Sequence, residues 1–137
     1  MKTIKTLFLA GVMITLLTNC GMTLAQNSGS SGETVIKEWK GVGESSHQTD
    51  IAARIVTCNG VNQVLLNVFN ENSSDQDITF TIKIVNSNGE ELNTPYHFQM
   101  PKGAMYIAKC GDSTYDNLKI NLPSNYDPSA LVISVTF

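Results

Sequence analysis

From Thr34 onward the apolar residues recur with a period of two rather than 3.6. The stretch ITFTIKIV sends Ile78, Phe80, Ile82 and Ile84 to one side and Thr79, Thr81 and Lys83 to the other, the signature of a half-buried β-strand. ALVISVTF does the same with Leu131, Ile133, Val135 and Phe137, LKINL with Leu118, Ile120 and Leu122, and YHFQM with Tyr96, Phe98 and Met100. Four further stretches, TVIKEWKGV, DIAARIVTC, QVLLNVFN and AMYIAKC, are apolar on parts of both faces, as central strands are. No comparable 3.6-residue pattern follows the N-terminal segment.

Turn signals fall between these runs. Asn59-Gly60 suits a type I′ hairpin, because both residues tolerate positive φ, and Asn88-Gly89 repeats the dipeptide before a strand starting near Pro95. Pro101-Lys102-Gly103 turns YHFQM back toward AMYIAKC. The loop ENSSDQD, Glu71 to Asp77, carries Asn, Ser and Asp side chains able to bond their own backbone. Short strands about ten residues apart with turns between them predict an all-β fold: a two-sheet antiparallel β-sandwich of about seven to eight strands.

The N-terminus is of another kind. MKTIK precedes the apolar run LFLAGVMITLL, a charged segment and a hydrophobic one too short for the roughly 20 residues of a spanning helix. It predicts export. Two processing points compete: Leu17-Thr18-Asn19 before Cys20 would make Cys20 a lipid-bearing N-terminus, whereas Thr23-Leu24-Ala25 offers a small-x-small cleavage pattern before Gln26. Asn19 is large for a lipoprotein site, so cleavage after Ala25 is favoured. Residues 1–25 are then a signal peptide, 26–33 a flexible linker containing NSGSSG, and 34–137 one domain of ordinary size.

Export changes the meaning of the cysteines. Of the three, Cys20 leaves with the signal or carries lipid, and Cys58 and Cys110 remain. An even pair in an exported domain predicts one disulfide rather than two separate buried thiols. With the two sheets stacked, such a bridge would join either the sheets or neighbouring strands. Cys58 shares its strand face with Val56, and Cys110 with Ala108 and Tyr106, so that face is expected to be the core one.

QVLLNVFNENSSDQDITFTIKIVNSNGEE resembles the middle hairpin of immunoglobulin-like and fibronectin-III-like sandwiches, and MPKGAMYIAKC resembles the Pro-Gly turn into a late strand of such domains. An antibody-type domain has a Trp between its cysteines, whereas Trp39 precedes both here, so the resemblance is to the architecture. The Ala25-Gln26 junction and the Asn/Ser/Thr-rich composition look like exported proteins of Bacteroidetes-type bacteria. Architecture of this kind implies no particular activity.

The chemistry-bearing residues are sparse. A formal charge of −3 with scattered lysines argues against nucleic acid, and against an anionic membrane surface, as partner. His47 lies in the Ser-rich GESSHQTD and His97 points outward from YHFQM, with no HExxH and no GxSxG. Asp75, Asp77 and Glu71, or Asp112 and Asp116, lack the DxDxDG calcium spacing. No metal and no cofactor are expected. Asp112-Ser113-Thr114 resembles a Bacteroidetes O-glycosylation acceptor, making Ser113 a candidate modification site. Tyr115 and Tyr126 sit in polar loops, where rings either stack on a partner or lid the end of the sandwich.

These features predict an exported, non-enzymatic binding or structural module of the cell envelope or exterior. Its partner would be a protein or a glycan, and Tyr115 and Tyr126 are the candidate contacts. No membrane span is expected, and a lipid anchor arises only through Cys20. Two other classes compete. A small outer-membrane β-barrel is suggested by the alternating segment ending in Phe137, and a hydrolase would have to work with paired carboxylates.

Overall fold

The computed structural model describes residues 32–137. The expected signal segment, Cys20, both candidate processing points and most of the expected linker lie outside the described residues. Eight strands form two antiparallel sheets: β1 (Glu33–Glu44), β2 (Thr49–Cys58), β3 (Val61–Asn70), β4 (Gln76–Val85), β5 (Glu91–Met100), β6 (Met105–Ile107), β7 (Lys119–Asn121) and β8 (Val132–Thr136). One sheet runs β1-β2-β3-β6 with β7 also on β3, and the other runs β5-β4-β8. The expected two-sheet sandwich is the observed architecture. Among the described residues its strands lie in two packed sheets and not in one closed barrel.

The core follows from the alternation. Ile78, Phe80, Ile82 and Ile84 of β4 are all buried, as are Tyr96 and Met100 of β5. Across from them, Phe98 of β5 meets Tyr106 at 6.0 Å between ring centroids, and Tyr106 is level with Val68 of β3. The facing side of the larger sheet therefore carries Val64, Leu66 and Val68 of β3 and their partners Ile55, Ala53 and Ile51 of β2. Phe80 stacks on Tyr96 at 4.9 Å.

Cys58 and Cys110 form the disulfide, with Cα atoms 5.6 Å apart. Both cysteines, with Val56 and Ala108, belong to the buried core as expected, but the bridge joins the end of β2 to the connection between β6 and β7 rather than the two sheets or two neighbouring strands. The β2–β3 register runs without a shift, so Cys58 and Val56 share the face opposite Ile55, the outer side of the larger sheet. Both are nonetheless buried, as is Leu65 on the same side. Beyond β6 the chain leaves the β3 edge, rejoins it at β7, and is tied in between to the end of β2 through Cys110. The bridge thus joins a strand end to a connection within one sheet's territory.

Three local departures have physical causes. TVIKEWKGV is an edge strand rather than a central one, and its pairing with β2 shifts register three times; each bulge reverses the alternation, which made both faces look apolar. β5 begins at Glu91, upstream of Pro95, a position open to proline because β5 is an edge. Asn59 and Gly60 take positive φ of 50° and 83° as a type I′ turn requires, whereas at Asn88-Gly89 the glycine does so and Asn88 does not. There the turn is organised by Asn86, whose Oδ1 accepts from the N–H groups of Asn88 and Glu90. Strand β1 starts at Glu33, one residue ahead of the expected boundary at residue 34, and the Gly32 carbonyl accepts from Asn59 N–H.

Candidate functional site

One long side of the sandwich is formed by the edges of the two sheets, β1 and β8. They meet at two points. Lys37 Nζ donates to the Leu131 carbonyl at 3.3 Å, and Gly43 lies so close to β8 that a methyl group there would overlap Val135 Cγ1. A cavity of about 270 Å³ lies along this seam, lined by Lys37, Glu38 and Lys40 at its polar side and by Val42, Ile55 and Ile133 among its apolar residues. Trp39 and Val132, on the two edge strands, are also exposed.

A second hollow lies past the end of β8. That strand pairs with Thr81 to Val85 of β4 and no further, although β4 starts at Gln76. Phe137 reaches the level of Phe80, with ring centroids 6.2 Å apart. Gln76, Asp77, Ile78 and Thr79 therefore have a strand on their β5 side and none on the other, among the described residues. The hollow beside them, about 360 Å³, is bounded by Phe137 and by Ser45, Ser46, His47 and Thr49 of the β1–β2 turn. Ser45 Oγ accepts from the His47 and Thr49 N–H groups, and Gln48 closes the turn at φ 57°. That bank is therefore fixed by local hydrogen bonds.

The electrostatics of this end are acidic. Glu71 sits beside Asp50, whose charge, with a smaller contribution from Glu44, pushes the Glu71 carboxyl above its ordinary range. On the outer face of the smaller sheet His97 Nδ1 lies 2.9 Å from Thr79 Oγ1 and 3.4 Å from Asp77 Oδ1. Both oxygens approach the same ring nitrogen on an exposed surface. A nucleophile–base–acid relay needs them on opposite nitrogens. His47, also exposed, has Ser46 Oγ 3.3 Å from its Nδ1. Among the described residues no three His, Cys, Asp or Glu side chains converge as a metal site would require.

The loop residues singled out from sequence fall elsewhere. Tyr126 is 6% exposed and belongs to the core, so its ring acts as a lid and presents no face to a ligand. Tyr115 is half-buried and stacks on Tyr106 with centroids 5.0 Å apart. Ser113 is exposed in a turn where Asp112 Oδ1 accepts from Thr114 N–H and Oγ1; these bonds hold the Asp112 carboxyl below its usual range. The half-open lane beside β4 went unseen in the sequence, since it depends on where β8 ends relative to β4. The chain matches no protein-family model, no curated protein and no solved structure.

Proposed function

We propose that this chain is an exported, non-enzymatic, immunoglobulin-like module that binds a protein partner in the cell envelope or outside the cell. The observation that carries the reading is the Cys58–Cys110 disulfide, placed in a chain that opens with a charged segment and a short apolar run. Disulfides of this kind persist in oxidising compartments. Export by a cleaved signal is what brings the domain there.

Binding is favoured over catalysis because the histidines lie on exposed surfaces without a relay. Of the carboxylates near one another, Glu44 and Glu71 are exposed and Asp50 is half-buried. A protein partner is favoured over a glycan because Tyr126, one of the two loop rings that could have stacked on a sugar, is spent in the core. Unpaired strand edges and exposed apolar residues along β1 and β8 remain.

The test is fractionation of the tagged full-length protein in its host with thiols trapped at lysis. The reading expects the protein in envelope or culture fluid with Cys58 and Cys110 unreactive until reduced. A cytoplasmic protein with both thiols free contradicts it.

A further inference from the structure

We infer that the cavity in the β1–β8 seam binds an aliphatic carboxylate of about eight carbons, its tail among apolar side chains and its carboxylate at Lys37 and Lys40. This goes beyond the binding-module reading and depends on neither export nor a protein partner. The seam is bounded at one end by the Lys37 bond to the Leu131 carbonyl and at the other by the close approach of Gly43 to Val135. It is a chamber of fixed length rather than a track for a passing strand.

Register puts the cations over the cavity. Lys37 pairs with Ile55 and Lys40 with Ala53, and paired residues share a face, so both lysines stand on the side of β1 that the buried Ile55 and Ala53 occupy on β2. Inward lysines on an edge strand guard against stray pairing. That role accounts for the charge but not for a cavity reaching Ala53 and Ile55 beside it.

The balance of charge at the mouth favours an anion. Lys37 spends one of its three N–H groups on the Leu131 carbonyl, and the exposed Lys40 takes part in no ion pair among the described residues. Glu38 also lines the cavity, but its Oε2 lies 3.4 Å from Nε of Arg54, which alternates with Ala53 and Ile55 and so belongs to the opposite face. Asp127, the other carboxylate near Lys37, accepts from Ser129 N–H and Oγ and lies outside the lining.

The walls favour a hydrocarbon tail. Val42 and Ile133 are half-buried and Ala53 and Ile55 buried, and the space is about 270 Å³. A methylene needs about the room of one water, roughly 30 Å³, so a tail of about seven carbons fits.

The probe is sodium octanoate, added at millimolar concentration to the isotopically labelled chain isolated from its host and read by methyl NMR. Saturable shifts are expected at Val42, Ala53, Ile55 and Ile133, with octanol binding about fivefold more weakly and octylammonium not at all. Lys40→Met should weaken octanoate about fivefold and leave octanol unchanged, while Lys40→Arg should keep the parent affinity.

Silence at these methyls overturns the site. Equal binding of octanoate, octanol and octylammonium does so too, as does parent affinity for octanoate in Lys40→Met, since the lysines are then edge guards alone. Tighter binding of acetyl-Ala-Leu with a free terminal carboxylate would assign the cavity to a polypeptide end instead and overturn the proposal. Each failure leaves export and oxidation standing, because those are read by fractionation and thiol trapping.

Discussion

The Asn70 side chain, fully buried, donates from Nδ2 to the carbonyls of Met100 and Pro101 at 3.2 and 3.0 Å. The same nitrogen is 3.0 Å from the Ser74 carbonyl, and Oδ1 accepts from Asn72 N–H. One amide thus ties the β3–β4 loop to the turn between β5 and β6. Asn70→Ala would strand these groups away from water, and we expect a loss of about 2 to 4 kcal/mol in urea unfolding. Asn70→Asp would replace a donor with a carboxylate facing carbonyl oxygens, so its loss should be larger at neutral pH than at pH 4.

Tyr96 is the reverse case, a buried hydroxyl with no partner among the described residues. Burial pushes its pKa up to about 12, above the unfolded value near 10. Between those values the folded state holds a proton the unfolded state has released, so stability is fully present below about pH 10 and falls as pH rises toward 12. The loss should approach 2 to 3 kcal/mol. Tyr96→Phe should remove this alkaline decline, and at pH 7 it should be neutral or stabilising by about 1 kcal/mol. Denaturant unfolding of both proteins at pH 7 and pH 11 checks it.

Gly43 permits the close approach of β1 to β8. Gly43→Ala should push Val135 aside at a cost of about 1 to 3 kcal/mol, with the amides of β8 exchanging faster than those of β2. Equal exchange in both strands would mean that the seam adjusts without moving β8.

The disulfide closes a loop of about 53 residues, worth roughly 4 kcal/mol on the chain-entropy account. Cys58→Ala with Cys110→Ala should lower stability by a few kcal/mol. The first region to lose exchange protection should be the connection between β6 and β7, since the bridge fastens it to the end of β2.

How far the sequence revealed this fold depended on whether a strand keeps one register along its length. β4 alternates without interruption and pairs without a shift on both sides, so its inner residues could be named from the pattern. β1 was misplaced as a central strand because its bulges break the alternation locally. The face of Cys58 was legible and its destination was not: parity fixes which neighbours share a face, but not which face meets the other sheet. For Tyr115 and Tyr126 the polar residues around them left contact ring and lid both open, and the rings turn to the core. The lane beside β4 could not be read at all, since a five-residue β8 against a ten-residue β4 is a fact of pairing between distant segments.

The central claim, an exported and oxidised module, is tested most directly by the intact mass of the mature protein isolated from its host, before and after reduction. The account predicts a chain beginning at Gln26 that gains two hydrogens on reduction. A chain retaining Met1 whose mass is unchanged by reductant would contradict it.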